Sequence, residues 1–540
     1  MPHSRIRTRW LLGAVLLFHP WTLVDSPALA QEPAPSQASV ADLERRVREL
    51  EQIIRRMQAD RLGGNPGPLP LPAGPQTDFA GTAASQADSK PSTTEPQPGP
   101  GRPEDSAAPD RDAGQKPRDG DKDKDGKDKD KAKDGAEKTF TAGWKDDAFA
   151  LQSADKKFYL RFTGQIQADY RSFLEEADRT DIDTFLIRRA RFGLEANMAN
   201  YYEFRLLPDF GQGKAVVQDA YMNIHYWDAF QFEVGKFKQP LSYEQLIQDR
   251  FVPTAERSLI DQLVPARDEG AMIHGQNLFC GKLDWAVAVS NGEINGDADT
   301  NEHKDVNSRV AFRPFYHKDC PSLLNYLQVG VSGGLGVEQE LVSPLTLRTP
   351  LTVPWFQFNP GVRADGLRWR LSPEVSYFYR SFGFAAQYYA EEEKLRPALA
   401  GPASRLLIDV PMEGFYVLAT YLVTGEERTT YSAPVKPLRP FDPCHPWACP
   451  GAWELVGRVS RLELDDRVFA TGLARLADPT RFSDAATEMT LGFNWYLNAW
   501  VRMQMNWEHA WFDRPVQLGS GAGGLTRDSD ALVVRFQIIF

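Results

Sequence analysis

Three short motifs in the chain carry residue types that could do chemistry. Residues 330–334 (Gly-Val-Ser-Gly-Gly) have the G-x-S-x-G spacing of an esterase nucleophile, but that chemistry needs a strand, a turn and then a helix. Residues 121–126 open like a calcium-binding loop, yet Asp128 and Ala132 stand where that loop requires an apolar residue and a glutamate. Residues 444–449 hold two cysteines and a histidine, with no second pair of metal ligands after them. We therefore predict no catalytic residue, no metal site and no cofactor.

Arginines that recur with a period of two form another set of candidates. Between Phe158 and Tyr170, apolar residues at even positions alternate with polar residues at odd positions. The same parity places these arginines on polar faces: Arg161, Arg171, Arg189, Arg191, Arg368, Arg370, Arg458, Arg502 and Arg535. It places these acids beside them: Asp169, Glu195, Asp219, Glu454, Glu488 and Glu508. Cationic rings in an aqueous pore favour anions, whereas arginines paired with carboxylates would only brace the wall, and both interpretations stay open.

The composition of the chain is uneven. Its 540 residues carry a net charge of −11, and its mean hydropathy is −0.44. The acidic balance argues against binding to nucleic acid, and the hydropathy argues against a bundle of membrane helices. The aromatic residues before position 139 are Trp10, Phe18, Trp21 and Phe79. The main core must therefore lie in the later part of the chain.

The first 138 residues divide into three segments. Residues 1–30 combine an arginine-rich start, a short apolar run and an Ala-Leu-Ala sequence, which predicts a cleaved signal peptide and export. Residues 38–60 have apolar residues at spacings of three and four, which predicts a coiled-coil helix rather than an amphipathic helix lying on its own domain. Residues 61–138 are rich in Pro, Gly, Asp and Lys, which predicts a disordered linker.

Residues 140–540 carry the alternation that is typical of β-strands. The strands are long enough to cross a bilayer at a tilt, their apolar faces hold aromatic residues near the ends, and their polar faces hold several charges each. Strand starts can be assigned near sixteen positions, among them Val216, Phe230 and Phe382. A barrel of that size encloses a water-filled channel. We predict an all-β fold: a 16-stranded antiparallel transmembrane β-barrel, preceded by the short coiled-coil helix and the disordered linker.

One long segment interrupts the strands in the first half of the barrel. Residues 239–268 contain a helix-compatible stretch, Ser242–Ile247, and are too polar overall to form a core. Loops of this length are usually functional. Folded inward, this segment would act as a constriction loop.

Several motifs in this region resemble the phosphate-selective porin O and P family. The resemblance covers roughly residues 145–540 and rests on these segments, in this order: Ile187–Glu195, Val234–Pro240, Thr254–Ser258, Thr420–Glu426, Gly451–Leu455 and Gly492–Tyr496. It implies a homotrimeric outer-membrane channel for small anions, with residues 239–268 folded into the pore. It also matches Arg188 and Arg189 to an arginine pair near the periplasmic mouth, and Arg257 to an arginine of the loop.

The constriction loop departs from the phosphate-specific members at one position. Those members resemble one another in having a lysine after the loop's glutamate, where this chain has Gln245 after Glu244. An amide cannot supply the charge of a compact ammonium, which argues against phosphate specificity but not against porin activity. We expect passive diffusion of small solutes, anions above all, with phosphate kept among the candidates. The loop also contributes Arg250, Glu256 and Arg257 as candidate pore residues.

Two further details concern the cysteines and two lysines. In an exported chain, Cys444 and Cys449 could form a disulfide in a loop, and Cys280 and Cys320 could form a second one between turns on the same side of the barrel; free thiols are the alternative. Lys236 and Lys238 fall on the apolar side of a strand. They require either a bulge or a position beyond the hydrocarbon.

These observations predict a porin of the outer membrane with a periplasmic N-terminal segment. The expected partners are outer-membrane lipid, two further copies of the chain and small anionic solutes, together with a periplasmic or cell-wall contact through the helix and linker. Two alternatives remain: a structural tether anchored by the barrel, and a barrel enzyme, which would need a clustered catalytic set.

Overall fold

The computed structural model describes residues 140–145, 148–174, 182–294, 299, 301–401, 404–518 and 524–540. The predicted signal peptide (1–30), coiled-coil helix (38–60) and linker (61–138) lie outside the described residues, so they stay predictions. No helix in the described ranges is long and apolar enough to cross a membrane.

The described chain consists mainly of β-strands. Their bounds are β1 Phe140–Lys145, β2 Ala148–Ser153, β3 Phe158–Phe173, β4 Thr184–Met198, β5 Tyr202–Asp209, β6 Val216–Trp227, β7 Phe230–Lys238, β8 Arg267–Asn277, β9 Leu283–Ser290, β10 Asp305–Phe312, β11 Gln328–Glu338, β12 Thr346–Arg348, β13 Pro354–Gln357, β14 Arg363–Ala364, β15 Gly366–Tyr379, β16 Phe382–Arg396, β17 Ile408–Leu422, β18 Ala452–Leu464, β19 Ala485–Tyr496, β20 Val501–Gln517 and β21 Leu525–Ile539. The helical segments are α1 Tyr243–Leu246, a turn at Leu278–Gly281, and single 3₁₀ turns at Gly211–Gly213, Leu259–Gln262, Ala398–Ala400, Asp466–Phe469 and Gly472–Ala474.

Sixteen of these strands form a closed antiparallel ring. Each of β3 to β11 pairs with its neighbour in sequence, β11 pairs with β15, and β15 to β21 continue the series. The ring closes where β21 pairs with β3, with Val533 opposite Arg171. The predicted 16-stranded barrel is therefore confirmed.

The two rims of the barrel differ. At the rim where β21 ends, here called the terminal rim, several connections are short, such as residues 228–229 and 380–381, although residues 423–451 form a long insert. At the opposite rim, here called the loop rim, the long connections are 239–266, 339–365 and 465–484.

Alternation along each strand separates a polar interior from an apolar exterior. On β21, Phe536 and Ile538 are exposed, whereas Arg535 and Gln537 between them are buried. The same split holds on β18, where Leu455 is exposed and Glu454 and Arg458 are buried. An exterior of this kind suits lipid, because hydrocarbon cannot solvate the charges that face inward.

Two hairpins add to the barrel beyond the predicted strands. The hairpin of β1 and β2 extends the sheet at the terminal rim, where Phe149 pairs with Phe162 on β3. The hairpin of β12 and β13 lies within the connection 339–365 at the loop rim, and Leu351 at its tip is fully buried against Ala255 and Val533. Neither hairpin was expected, because their strands are too short to show a clear alternation.

On one side of the barrel, the interior near the loop rim is filled with packed side chains. Trp355 and Phe356 of β13 are fully buried, and the Phe356 ring lies 6.2 Å from that of Phe469. The same apolar cluster includes Leu259 and Ile260 from the connection 239–266. The water-filled part of the lumen must therefore lie on the side of β3 to β8.

Candidate functional site

The connection 239–266, here called the constriction loop, turns into the barrel at the end of β7. Gly235 has a φ of +125°, and beyond it Lys238 donates from Nζ to the backbone oxygen of Ile247 at 2.8 Å, and also to that of Gln245. Ser242 then caps α1 by accepting a hydrogen bond from the Gln245 amide. Lys238 therefore points toward the loop, and its position on the apolar side of the strand is resolved by this turn. Lys236, two residues earlier in the same strand, is partly buried.

The constriction loop is held by side chains from the inner wall on the far side of the lumen. Asn494 on β19 donates to the Pro253 oxygen at 2.9 Å, and Asn506 on β20 accepts from the Ala255 amide at 2.6 Å. The loop also buries apolar residues against the wall: Leu241, Ile247, Leu259, Ile260, Leu263 and Val264. The inward fold of the loop is thus as predicted. The expectation that the loop is too polar to form part of a core is wrong, because these apolar residues belong to a buried cluster. The sequence hides this, since they are spaced irregularly between charged residues.

The Arg188–Arg189 pair faces inward because β4 contains a bulge. Gln167 on β3 pairs with Arg189 and Ala168 pairs with Ile187, so Arg188 is the extra residue. Strict alternation would have sent Arg188 outward. The two arginines are the fifth and sixth of the 15 residues of β4 counted from the loop rim. They lie at the level of the constriction loop, where they contact Glu256 and Asp249, and their position near the periplasmic mouth stays a prediction.

The Glu256 carboxylate of the constriction loop is surrounded by arginines. Arg188 Nε lies 2.7 Å from it, Arg535 Nη2 2.7 Å and Arg171 Nη2 2.9 Å. Arg189 Nη2 follows at 3.5 Å. Burial by itself raises the pKa of Glu256, but the charges of these arginines outweigh burial and hold that pKa well below its ordinary value. Glu256 is therefore charged at neutral pH and fastens the loop to β3, β4 and β21.

Asp249 is a second carboxylate of the loop with several arginine partners. Arg257 Nη1 and Arg191 Nη1 both donate to it, and Arg189 Nη2 lies 3.4 Å away. Burial alone raises the pKa of Asp249, but Arg191, Arg257 and Arg189 outweigh it and hold that pKa well below its ordinary value. Asp249 thus joins the loop to β4.

The remaining arginines on the packed side are also paired. Arg368 and Arg370 on β15 share the Asp305 carboxylate, at 2.9 and 2.8 Å. Arg458 on β18 donates to the Glu256 backbone oxygen at 2.7 Å and lies 3.4 Å from Glu488. These contacts favour a bracing role for the arginines of β15 and β18.

Arg250 and Arg502 differ from the other candidate arginines because, among the described residues, no carboxylate lies within 4 Å of either. By contrast, Arg161 pairs with Glu195 at 3.0 Å, and Arg535 pairs with Asp169 as well as with Glu256. Arg502 is buried and donates to Gln537 at 3.1 Å.

Arg250 lies at the part of the constriction loop that faces open space. Its Nε donates to Gln248 at 2.7 Å, and its guanidinium lies 5.1 Å from the centre of the Phe251 ring. Its terminal nitrogens make no hydrogen bond within the described residues. Burial lowers the pKa of Arg250 to about 10, so the group is still charged at neutral pH.

Three cavities border the inner wall of the barrel: the first two also border the constriction loop, and the third lies against β3 to β6. The central chamber, about 190 Å³, is lined by Arg191, Arg205, Asp219, Glu233, Lys238, Asp249, Arg250 and Arg267, together with apolar residues. The aromatic chamber, about 250 Å³, is lined by Arg161, Gln248, Arg250, Phe251, Ser432, Pro434 and Trp500, among others. The side chamber, about 300 Å³, is lined by Arg161, Glu195, Glu203, Arg205 and Tyr221, among others. The three cavities meet at arginines, because Arg250 lines the first two, Arg205 lines the first and third, and Arg161 lines the second and third.

The other candidate residues of the loop lie away from these chambers. The Glu244 carboxylate accepts from the Ser258 amide at 3.1 Å and lies 3.7 Å from Arg458. Gln245 is buried in α1 and is absent from the described lining of the three chambers. Arg257 donates to the backbone oxygen of Ile247 at 2.8 Å. These residues shape the loop rather than the open lumen.

All four cysteines are free thiols in this structure, and the two disulfides, for which free thiols are the alternative, stay predictions. Cys449 donates from its amide to His445, which forms a helical turn that separates its side chain from that of Cys444. Cys280 lies in the tight turn after β8, whereas Cys320 is fixed by its own turn, in which its amide donates to His317. Among the described residues, no group of three or more His, Cys, Asp or Glu side chains is placed to hold a metal ion.

Arg205 and Arg267 are lining residues that the sequence did not single out. Arg205 Nε and Arg267 Nε both donate to Asp219, at 2.9 and 2.6 Å. Strand parity carried a signal for Arg205, since it faces Glu195 across β4 and β5. Arg267 is the first residue of β8, where alternation has not yet begun.

Comparisons with known proteins agree on the kind of molecule this chain resembles. The model of the family "Phosphate-selective porin O and P" matches residues 160–334 and 358–540, which is more than half of the chain. No curated protein matches it. Among solved structures, OmpT of Vibrio cholerae is 13% identical with a TM-score of 0.43 and covers 71% of this chain and 98% of its own. DcaP of Acinetobacter baumannii is 11% identical with a TM-score of 0.43, over 72% and 99%. OmpF of Salmonella typhi is 11% identical with a TM-score of 0.42, over 71% and 98%.

Proposed function

The chain belongs to the phosphate-selective porin O and P family and is an outer-membrane channel for passive diffusion. On this premise, we propose that the channel prefers small anions. The family and the barrel point to a channel rather than an enzyme. The preferred solutes pass between the constriction loop and the wall of β3 to β8.

The observation that carries the proposal is the formal charge of the open lumen. In the described lining of the central chamber, five cations face three carboxylates: Arg191, Arg205, Lys238, Arg250 and Arg267 against Asp219, Glu233 and Asp249. The described lining of the aromatic chamber adds Arg161 and no acidic side chain, whereas that of the side chamber adds Glu195 and Glu203. Over the three chambers, six cations therefore face five carboxylates. A narrow lumen with an excess of fixed positive charge attracts anions and repels cations.

The same contacts argue against specificity for phosphate. A phosphate group is bound best by several cations whose hydrogen bonds are free to converge on it. Here the converging arginines already hold carboxylates of the chain, as Arg188 and Arg535 hold Glu256. Gln245, where phosphate-specific members have a lysine, lies outside the described lining of the chambers.

The test is a reversal potential across a planar bilayer that contains the purified channel, with KCl at tenfold different concentrations on the two sides. We expect the sign that reports chloride preference, and a shift toward zero for the variant Arg250→Gln. The matched control is Arg405→Gln, because Arg405 is exposed in the connection between β16 and β17. A wild-type potential of the sign for potassium preference would contradict the proposal.

We also infer a homotrimer, with the terminal rim in the periplasm. β5, β9 and β10 have 8 residues each, whereas a lipid-facing strand needs about 9–11 residues to cross a bilayer. A low wall of this kind is best covered by protein. Chemical cross-linking of the purified channel tests this: bands of three chains support it, and single chains contradict it. In this arrangement the predicted signal peptide is removed, and the remaining N-terminal segment extends into the periplasm toward the cell wall.

A further inference from the structure

Arg250 stands out within the lumen because its charge is not matched by a carboxylate. Its Nε is held by Gln248, while both terminal nitrogens are without a hydrogen-bond partner in the described structure. It also lines the central chamber, the aromatic chamber and a smaller third cavity. A solute in either of the two chambers therefore lies beside this guanidinium.

The surroundings of Arg250 on the aromatic side are apolar. Phe251 and Pro434 line the aromatic chamber together with Trp500. The polar lining residues include Thr163, Gln248 and Ser432, which are uncharged. Apart from Arg250 itself, the charged side chain in the described lining is Arg161, which is already paired with Glu195.

This combination of one unpaired guanidinium and an apolar wall selects for a particular chemistry. A guanidinium presents a planar fork of donors that matches a carboxylate in two parallel hydrogen bonds. The rings beside it offer an apolar surface on which a flat hydrocarbon group loses contact with water. A small inorganic anion uses the first feature and gains nothing from the second.

We propose that Arg250 and Phe251 form a site for aromatic monocarboxylates, which the channel takes up in preference to inorganic anions of the same charge. The site rests on the anion preference proposed above and names its solute class. The carboxylate pairs with Arg250, and the ring lies on the apolar side of the aromatic chamber near Phe251.

The experiment measures how benzoate reduces the chloride current of the full-length channel in a planar bilayer. We expect millimolar benzoate to reduce the current, because the bound carboxylate occupies the passage at Arg250. Acetate, which has the charge without the ring, and benzyl alcohol, which has the ring without the charge, should have little effect at the same concentrations. A reduction by acetate equal to that by benzoate would overturn the site.

Three variants test separately the charge of Arg250, its planar guanidinium and the ring of Phe251. Arg250→Gln should raise the half-blocking benzoate concentration about tenfold, because a charge-assisted hydrogen bond is lost. Arg250→Lys should keep the chloride preference in a KCl gradient but raise the same concentration several-fold, since an ammonium lacks the planar fork. Phe251→Leu keeps an apolar side chain without the aromatic ring and should raise the half-blocking benzoate concentration about threefold.

The controls separate this proposal from the general one. Arg405→Gln should leave the benzoate block unchanged, and resistance of each variant to heat denaturation in detergent shows that the barrel has formed. If wild type prefers potassium, the proposed anion preference fails. If wild type prefers chloride but none of the Arg250 and Phe251 variants changes the benzoate block, the site alone is refuted.

Discussion

At the scale of single residues, the wall of this barrel carries many arginines but leaves few of their charges free. Glu256 illustrates the reason, because one carboxylate of the constriction loop contacts Arg171, Arg188 and Arg535 at 2.9 Å or less. These arginines of β3, β4 and β21 therefore act as the binding site for an anion that the chain itself supplies. Anion preference then depends on the few cations that the loop does not neutralise, and Arg250 is the clearest of them.

The variant Glu256→Gln tests the role of this carboxylate. It should destabilise the folded channel by about 3–5 kcal/mol, because removing one partner of a buried ion pair leaves the other charges uncompensated. The measurement is the temperature of unfolding in detergent.

The control for this prediction is Glu302→Gln, which removes a carboxylate that is exposed in the connection between β9 and β10. It should leave the unfolding temperature within about 2 °C of wild type, because surface charges contribute little to stability. Equal stability of Glu256→Gln and wild type would show that the loop is held by its apolar contacts alone.

At the scale of elements, a single glycine lets β7 pack closely against β6 before the constriction loop begins. Gly235 has a φ of +125°, and a Cβ atom there would lie 2.2 Å from the Ala220 oxygen on β6. Only glycine adopts this backbone conformation at low cost. At the end of the same strand, Lys238 donates to the backbone oxygen of Ile247, so β7 also holds the start of the loop.

The variant Gly235→Ala should destabilise the barrel by about 1–3 kcal/mol, because both the backbone conformation and the contact with β6 become strained. The matched control is Gly457→Ala on β18, where the nearest atom to a new Cβ lies 3.6 Å away at Leu491. Yields of heat-resistant channel after refolding into detergent check the pair. Equal yields would mean that β7 can straighten without loss.

Strand elements could be predicted from the sequence because each carries its own evidence. The starts of β6, β7 and β16 fall at Val216, Phe230 and Phe382, as the alternation indicates. Arg188 could not be assigned in this way, since a bulge reverses the parity that the prediction uses. The hairpin of β12 and β13 was equally hidden, because its burial depends on Leu351 meeting Val533, far away in the chain.

At the scale of the whole molecule, the constriction loop and the β12–β13 hairpin divide the interior of the barrel into two halves. Beside β15 to β21 the inner wall is covered, and Thr490, Gln504 and Asn506 are fully buried. Beside β3 to β8 the chambers stay open. The candidate residues were predicted as one set around a uniform lumen, because strand parity tells inside from outside but not covered from open. Their partners come from a loop that crosses the lumen, and no local pattern encodes those contacts.

The salt dependence of selectivity follows from this division. In the described lining of the central and aromatic chambers, the excess positive charge belongs to a small number of groups, and a solute meets their field through water. The Debye length falls from about 10 Å at 0.1 M salt to about 3 Å at 1 M, so the field then extends over only part of the passage. The chloride preference measured in a tenfold KCl gradient should therefore fall at least about twofold between these two mean concentrations.

Benzoate block should fall less with salt than the chloride preference does, because the contact of the benzoate ring does not depend on charge. Reversal potentials and block measured on the same channels at both concentrations test this. A chloride preference that stays constant with salt would place the selectivity in a dehydrated contact instead of the field of the lumen.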